Sequence, residues 1–482
     1  MSDAGQDPTA PQDGQDTEAA AETRAESGAA SGTDTAPEAV ETAEAVETGT
    51  TAPEDAAAAS GIGRRGLLGI LGGGAAGLAL GAGGGFAYRT RRERTAAANA
   101  PRPEDLIHPF AGEHQAGITT PVQEHLHFAA FDMTDDADRD ELIEVLERWT
   151  EAARRLTLGG DVSAEGSFGG GELFPPDDSG EAVDLGPSGL TLTVGFGRSL
   201  FVDADGRDRF GLKKSMPKHF TELPVMANDF LIPERSDGDL CVQACADDPQ
   251  VAVHAVRNLT RLAMGKATLR WSQLGFGRAS STSHAQTTPR NLFGQKDGTA
   301  NIMADDAEAL AEHVWIGTDQ GPDWAVGGSY LVARRIAMTI EVWDTLQLGE
   351  QERVTGRAKH DGSPLSGGGE FDAPDFSAVD DRGRPVIDER SHVHRAHPDH
   401  NDGIRMLRRG YNFVDGNDET GRLNAGQFFI AFVNDPARFA RVHTSLARDD
   451  MFIEYLKTTT SGVYLIPPGV GDEGYIGESL LG

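Results

Sequence analysis

Residues 291–301 read NLFGQKDGTAN, and this stretch places Asp297 between two glycines, Gly294 and Gly298. Glycine adopts positive φ without a steric penalty, so the backbone on either side of the carboxylate can turn sharply and approach a flat ligand closely. An Asp-Gly pair is most often a tight turn with no further role. The stretch therefore predicts either a plain turn or a turn that presents Asp297 to a ligand at short range.

Two more segments carry side chains suited to a ligand site. Residues 391–398 read SHVHRAHP, and residues 406–413 read MLRRGYNF. The first of these segments belongs to a group of four closely spaced histidines, namely His392, His394, His397 and His400. From their spacing alone these histidines could bind zinc or iron, or they could be solvated loop residues.

The three segments together resemble the dye-decolorising peroxidases, and the branch that they resemble most is the twin-arginine-exported deferrochelatase/peroxidases of bacterial iron uptake. The resemblance implies an enzyme with one haem b per chain. Its substrates would be hydrogen peroxide and a reductant, either a phenolic or dye-like compound or ferrous iron. Further matches follow in the family's order and extend to the C-terminus: HQAGI at 114–118, VGFGRSLF at 194–201, TPRN at 288–291 and GGSY at 327–330.

The histidine-rich segment supplies the iron ligand under this resemblance. It contains the family pattern His-x-x-x-Ala-x-Pro, which assigns His392 as the axial ligand of the haem iron. Neutral imidazole suits that role. The same pattern places His397 and Pro398 near the haem. The branch tends to carry Arg and Asn where this chain has His394 and His397, so we expect the hydrogen bonds at the haem edge to differ.

The resemblance assigns Asp297 and Arg408 to the distal face of the haem as catalytic residues. Cleavage of the O–O bond needs a proton to move between the two peroxide oxygens while charge builds on the departing hydroxide. Asp297 would carry that proton and Arg408 would stabilise the charge. The cofactor rim would contact Gly298, Thr299 and Ala300. An aspartate ordinarily stays ionised down to about pH 4, which predicts activity that peaks in the acidic range.

Arg408 is followed directly by Arg409 on a predicted strand. Adjacent strand residues point to opposite faces, so only one of the two can reach the haem. Spacing and the family pattern favour Arg408, and a surface ion pair is the alternative role. Phe428 and Phe429 could wall the distal pocket or belong to the core.

Bulky dyes would exchange electrons with the haem through aromatic side chains, because they cannot enter such a pocket. The sequence does not rank the candidates, which are Tyr330, Tyr411, Trp315, Trp324 and Trp343.

The order of predicted elements indicates an α+β fold of two ferredoxin-like halves with antiparallel sheets. The first half spans 101–290, and the haem-binding second half spans 291–482. In the first half we predict strands at 124–133, 189–195, 239–246 and 267–274, a helix capped by Asp138 and Glu141, and a helix at 249–264. In the second half we predict strands at 313–317, 329–343, 406–413 and 427–433, helices at 304–312 and 436–448, and a surface loop at 356–385.

The first hundred residues predict no folded domain. Residues 1–60 are acidic and poor in large apolar residues, so we expect them to be disordered. Residues 61–100 contain Arg64 and Arg65 ahead of an uncharged Gly/Ala/Leu run, which looks like a twin-arginine signal. A membrane anchor at 66–88 is the alternative. The signal predicts export to the periplasm, the cell envelope or the medium, with membrane contact only through this segment.

The formal charge of −33 disfavours nucleic-acid and membrane-surface partners, although it could serve only solubility or a saline habitat. The chain has two cysteines, Cys241 and Cys245, on a predicted strand. Four residues along a strand separate Cα atoms by roughly 13 Å, too far for a disulfide. Both are therefore expected to be small buried apolar residues.

Two functions of different classes remain open beside the peroxidase. One is a haem-binding component of iron acquisition that releases iron and leaves the porphyrin intact. It would need His392 and the pocket walls but neither Asp297 nor Arg408. The other is a non-haem metal enzyme built on the histidines between His392 and His400. A homo-oligomer and iron-uptake partners are also expected.

Overall fold

The computed structural model describes residues 105–482, in which nine strands form one antiparallel sheet. They are β1 His125–Met133, β2 Thr191–Gly197, β3 Leu240–Ala246, β4 Ala267–Arg278, β5 Ser329–Met338, β6 Leu407–Arg408, β7 Tyr411–Asn417, β8 Leu423–Val433 and β9 Leu456–Ile466. Eight of them follow the order β5-β9-β2-β3-β1-β4-β7-β8, and β8 pairs back with β5. The sheet is therefore closed, with the short β6 attached to β8.

Eight α-helices accompany the closed sheet within the described residues. They are α1 Arg139–Leu156, α2 Pro249–Leu262, α3 Ala307–His313, α4 Ile340–Asp344, α5 Leu348–Thr355, α6 His392–Ala396, α7 Pro436–Asp449 and α8 Glu478–Leu481. Short 3₁₀ helices lie at Arg198–Leu200, Lys213–Ser215, Pro233–Arg235, Asp323–Ala325, Pro398–His400 and Met451–Tyr455.

Each half of the described chain contributes four neighbouring strands. The first group lies in the order β4-β1-β3-β2, with α1 and α2 on one face. The second group lies in the order β9-β5-β8-β7, and α7 packs against β5 and β8. The pairs β4–β7 and β2–β9 join the two groups into one sheet. The predicted antiparallel sheet is confirmed, and the boundary at residue 290 stays a prediction.

Local sequence explains why α1 begins where it does. The Asp138 carboxylate accepts from the backbone N–H of Glu141, and the Glu141 carboxylate accepts from the backbone N–H of Asp138. This capping box satisfies two donors that the helix itself leaves free. The buried residues Leu142, Leu146 and Trp149 then form a stripe that packs on the sheet. The predicted capping box is thus confirmed.

The closed sheet separates two cores. Its interior holds apolar side chains from both halves, including Phe128 and Phe428. Cys241 and Cys245 also lie there, buried and free, as predicted. The second core lies between the outer face of the sheet and the helices, where Phe131 packs edge-on against Trp149 with ring centroids 5.1 Å apart.

The sequence predictions about the second half were wrong in four details. The strand predicted at 406–413 is interrupted at residues 409 and 410, so it forms the two strands β6 and β7. Residues 313–317 are not a strand, because α3 ends there and the chain turns, with Ile316 buried in a loop. The strand predicted at 329–343 ends at Met338, and Trp343 lies on α4, where Ile340 and Trp343 share a buried face at helical spacing. Strand β9 was missed because it begins with the polar run Lys457 to Ser461. The 356–385 segment contains no named helix or strand, as predicted.

The acidic segment 1–60 and the predicted signal at 61–100 lie outside the described residues. Within residues 105–482, no helix combines the length and the apolar character needed to cross a bilayer.

Candidate active site

A cavity of about 580 Å³ lies in the part of the molecule built by the second group of strands. Its walls come from β5, β6 and β8, from α6 and α7, from the 291–301 segment and from the loop that follows α5. The lining includes every site residue predicted from the sequence, namely Asp297, Gly298, Thr299, Ala300, His392, His397, Pro398 and Arg408. The fold thus gathers residues up to 111 positions apart around one space.

His392 opens onto the cavity from the first position of α6. Its Nδ1 lies 2.7 Å from Oδ2 of Asp450, whose side chain is 1% exposed, whereas 37% of the His392 side chain is accessible. Burial alone lowers the pKa of His392, but the adjacent Asp450 carboxylate more than offsets this and raises the pKa above its ordinary value. The pair fixes the ring and leaves Nε2 without a hydrogen-bond partner among the described residues.

The other histidines of this segment pack against one aromatic ring. His394 stacks on His400 with centroids 4.0 Å apart and an interplanar angle of 13°. The edge of Phe376 contacts both, and it also contacts His397, which alone of the three lines the cavity. Burial lowers the pKa of His397. Within residues 105–482 no group of three or more His, Cys, Asp or Glu side chains is placed to hold a metal ion.

Asp297 and Arg408 form an ion pair on the cavity wall. Arg408 Nη1 donates to Asp297 Oδ1 at 3.2 Å. The second oxygen of Asp297 accepts from Asn291 Nδ2 at 3.3 Å and from Gln427 Nε2 at 3.4 Å. Both side chains of the pair are partly accessible, Asp297 at 16% and Arg408 at 27%. The carboxylate is therefore held by donors on two sides and still reaches the cavity.

The backbone of Arg408 is fixed by one amide side chain. Asn301 Oδ1 accepts from the backbone N–H of Arg408 at 2.7 Å, and Asn301 Nδ2 donates to the Arg408 carbonyl at 2.8 Å. Arg409, the next residue, is fully buried and donates to the carbonyl of Thr120 and to the side chain of Gln123. The two arginines point to opposite faces, as predicted.

A glycine is required directly after Asp297. Gly298 has φ of +85°, and a Cβ at this position would lie 2.8 Å from Cα of Ser280. No other residue could adopt this backbone without displacing the neighbouring chain. Beside it, Thr299 Oγ1 donates to Glu370 at 3.4 Å, and Glu370 pairs with Lys296.

Comparison with protein-family models decides the family. The Dyp-type peroxidase N-terminal model matches residues 115–277, and the C-terminal model matches residues 288–471. The chain belongs to the Dyp-type peroxidase family. It is therefore a haem-dependent peroxidase, and the two matched regions cover most of the described residues.

Individual relatives agree with this assignment. A deferrochelatase from Yersinia pestis is 35% identical over 379 residues, which cover 77% of this chain and 84% of that protein. The structure of an oxyferrous/water mixed complex of DtpA from Streptomyces lividans is 38% identical, with a TM-score of 0.72, and the match covers 79% of this chain and 99% of that chain. A DyP-type peroxidase from Cellulomonas bogoriensis is 36% identical, with a TM-score of 0.70 and coverage of 79% and 99%.

The cavity residues fit a haem group. A peroxidase haem needs one neutral nitrogen ligand and an opposite face open to peroxide. His392 suits the first need, because its Nδ1 is bonded to Asp450 and its Nε2 has no hydrogen-bond partner among the described residues. The apolar side chains Phe429, Val442 and Leu446 line the same space, as is usual for a cofactor pocket.

Sequence reasoning missed several residues that hold this Dyp-type site in place. Asp450 lies 58 positions from His392, and its only local signal is a role as N-cap of the 3₁₀ helix Met451–Tyr455. Asn301 ends the 291–301 stretch and Gln427 begins a predicted strand, but neither had a predicted role. Of the two phenylalanines expected at the pocket, Phe429 lines it, whereas Phe428 points into the closed sheet because successive strand residues alternate.

Proposed function

We propose that this protein binds one haem b in the cavity of its C-terminal half and uses hydrogen peroxide to oxidise phenolic or dye-like compounds or ferrous iron. The observation that carries the proposal is the cavity itself. It combines the His392–Asp450 pair with the Asp297–Arg408 pair, and apolar walls lie between them. These are the groups that a peroxide-reducing haem site needs.

His392 would ligate the iron through Nε2. Nδ1–H donates a hydrogen bond to the Asp450 carboxylate, which fixes the tautomer and makes the ring more electron-rich. His397 and Pro398 line the same cavity and would pack near the haem edge. Gly298, Thr299 and Ala300 would contact the rim, since the backbone at Gly298 can approach closely only without a side chain.

Asp297 and Arg408 would handle peroxide. Ferric haem, when bound, supplies the redox chemistry of the reaction. Asp297 accepts a proton from one peroxide oxygen and returns it to the oxygen that departs as water. The Arg408 guanidinium stabilises the negative charge that develops during O–O cleavage. Asn291 and Gln427 keep the Asp297 carboxylate oriented for both transfers.

Bulky reductants would deliver electrons through an aromatic contact that reaches the site. Of the five aromatic residues named from the sequence, Trp343 is linked to the cavity by ring contacts. Its centroid is 5.6 Å from that of Phe452, and Phe452 lies 5.0 Å from the ring of His392. These contacts support Trp343, which is itself fully buried, as an inner relay in preference to Tyr330, Tyr411, Trp315 and Trp324.

The proposal is tested by the absorption spectrum of the purified protein with and without peroxide. We expect a Soret band, a spectral change on adding peroxide, and peroxide-dependent oxidation of an anthraquinone dye. A protein that takes up haem but oxidises neither dye nor ferrous iron would contradict the peroxidase role.

Release of iron from haem is a second candidate function. The observation that favours it is the similarity to proteins named deferrochelatase, at 35% identity over most of both chains. In this reaction the porphyrin takes up two protons and ferrous iron leaves, so a reductant must accompany ferric haem. We expect fluorescence of metal-free protoporphyrin when the haem-loaded protein is incubated with dithionite. If no protoporphyrin fluorescence appears while dye oxidation is intact, the protein is a peroxidase that does not release iron from haem.

We further propose that the protein is exported and that its fold consists of two similar halves. The twin-arginine pattern within residues 61–100 supports export of the folded protein to the periplasm, envelope or medium, and a homo-oligomer that meets iron-uptake partners there is in keeping with the branch. Fractionation of cells that express a tagged chain tests the export, with a variant in which Arg64 and Arg65 are replaced by Lys as the comparison.

The strand orders β4-β1-β3-β2 and β9-β5-β8-β7 support two ferredoxin-like halves.

A further inference from the structure

Four arginines line the cavity, and three of them have a carboxylate partner. Arg408 pairs with Asp297, Arg334 with Asp229, and Arg405 with Asp306. The fourth is Arg357, for which no ion pair occurs among residues 105–482. Arg357 is partly buried, and withdrawing an unpaired cation from water is costly, so its place on a ligand cavity favours an anion as its partner.

The hydrogen bonds of Arg357 leave one edge of its guanidinium free. Nη1 donates to the carbonyl of Gly362 at 2.6 Å and to the carbonyl of Glu370 at 2.8 Å. Nε and Nη2 have no partner among the described residues. Two parallel N–H groups on one edge of a guanidinium match the two oxygens of a carboxylate.

Nearby acids are already engaged. The Glu370 carboxylate is taken by Lys296 and Thr299, so it meets Arg357 only through its backbone oxygen. The other charges that act on Arg357 do not compensate for it. Burial lowers the pKa of Arg357, Glu370 opposes this, and Arg408 lowers it further. Burial lowers the pKa of His397, Asp399 opposes this, and His400 and then Arg357 lower it further.

We propose that Arg357 is the carboxylate-binding residue of the cavity, and that it forms a bidentate pair through Nε and Nη2. The carboxylate is either a propionate of the haem or an acid group on the reductant. This inference rests on the proposed function, because it concerns a ligand of the same cavity. Arg357 would act as a positioning residue that fixes which way the ligand faces Asp297 and His392.

The test titrates the apoprotein with haem and, separately, with haem dimethyl ester, in which both carboxylates are masked. Quenching of tryptophan fluorescence reports binding without any turnover. For Arg357→Gln we expect haem affinity to fall about 10- to 100-fold, with the affinity for the ester unchanged, since a charge-assisted pair is lost only with the acid form. The haem affinity of Arg357→Lys should lie between those of Arg357→Gln and the unaltered protein, because lysine keeps the positive charge but cannot form a bidentate pair.

A matched control is Arg384→Gln, which makes the same change of charge on the same loop. Arg384 is 66% exposed and pairs with Asp380. It should bind both ligands like the original protein. If Arg357→Gln leaves haem binding intact but raises the KM of a carboxylated reductant and not of its methyl ester, the carboxylate belongs to the reductant, and the inference holds.

Two outcomes would overturn the inference. Equal weakening of haem and its ester by Arg357→Gln would show that the variant merely disturbs the loop. No change in either titration or in the KM for the carboxylated reductant would show that Arg357 binds no carboxylate. Failure of the unaltered protein to bind haem would instead remove the proposed function, and this inference with it.

Discussion

Each half of the molecule contains a histidine bonded to a buried aspartate, and the two histidines differ in how far the ring is exposed. In the first half His254 lies 2.7 Å from Asp178, and their side chains are 5% and 0% exposed. In the second half His392 lies 2.7 Å from Asp450, and the histidine is 37% exposed onto the cavity. The same contact is thus structural where the ring is covered and available for ligation where it is not.

The surroundings of the two pairs differ in the same way. Between sheet and helices of the first half, Phe131 and Trp149 fill the space, and the Trp149 indole donates to the carbonyl of Leu259. Between β5, β8 and α7 of the second half, the corresponding space is the cavity. Close packing stabilises the first half, whereas the second half leaves room for a cofactor that must supply the missing contacts.

The largest expected effect separates the two histidines. Replacing His392 by Gln should abolish a normal Soret spectrum and reduce dye oxidation to background, because the axial ligand is lost. Replacing His254 by Gln should leave haem uptake per folded chain unchanged and lower the melting temperature, since a buried hydrogen bond is weakened. Haem content and thermal unfolding of both variants measure this. Equal haem loss in the two variants would contradict the assignment of His392 as the haem ligand and His254 as a structural residue.

The catalytic pair should matter for turnover and little for haem retention. With Asp297→Asn or Arg408→Leu we expect kcat/KM for peroxide to fall by about 10²- to 10⁴-fold, the usual range for a lost proton-transfer or charge-stabilising group. The measurement is peroxide-dependent dye oxidation normalised to haem. The unaltered enzyme should be most active at acidic pH. A maximum near pH 8, or full activity without Asp297, would rule out this carboxylate as the base.

The aspartate partners of the two histidines, Asp450 and Asp178, should also differ in their effect on haem binding. Asp450→Asn should lower haem affinity or activity by about 10- to 100-fold, because the partner that orients the ligating ring is altered. Asp178→Asn removes the corresponding partner of His254 and should affect only the free energy of unfolding. Haem titration beside urea unfolding separates these results. If Asp178→Asn weakened haem binding as much as Asp450→Asn, the first pair would not be purely structural.

The smallest effect concerns stability of the packed half. Burial lowers the pKa of His127 on β1 to about 4, below its ordinary 6.5. The unfolded chain therefore binds more protons than the folded chain between these values, so stability falls as pH drops through that window and levels off below it. The loss attributable to His127 is about 2 kcal/mol at pH 5. His127→Gln should reduce the loss of urea-derived stability between pH 7 and 5 by about 2 kcal/mol, and an unchanged slope would contradict this.

Much of the site could be predicted because its chemistry lies in short motifs. Asp297, His392 and Arg408 each stand in a recognisable segment, and the structure brings all three to one cavity. Asp450 could not be found this way, because its role depends on tertiary placement and not on its neighbours in sequence. Arg357 lies on a loop without periodicity, so only the folded structure shows that its guanidinium bonds two backbone carbonyls and has no carboxylate partner among the described residues.

The fold was predictable where the hydrophobic period was clear and not elsewhere. The capped helix α1 and the apolar strand β3 match their predicted positions closely. The first half of strand β9 is mostly polar, so its sequence did not indicate a strand. The segment around Trp343 has a composition typical of strands but forms a helix, because tertiary packing overrides local propensity there. Alternation along β8 predicts that Phe428 and Phe429 face opposite sides, but it does not say which side is the cavity.

The most direct measurement of the central claim is anomalous diffraction at the iron edge from crystals of the haem-loaded protein. We expect a single iron peak per chain inside the cavity, bonded to Nε2 of His392, with Asp297 and Arg408 on the other face of the porphyrin. An iron peak at the His394–His400 stack, or a haem ligated by any residue other than His392, would contradict it.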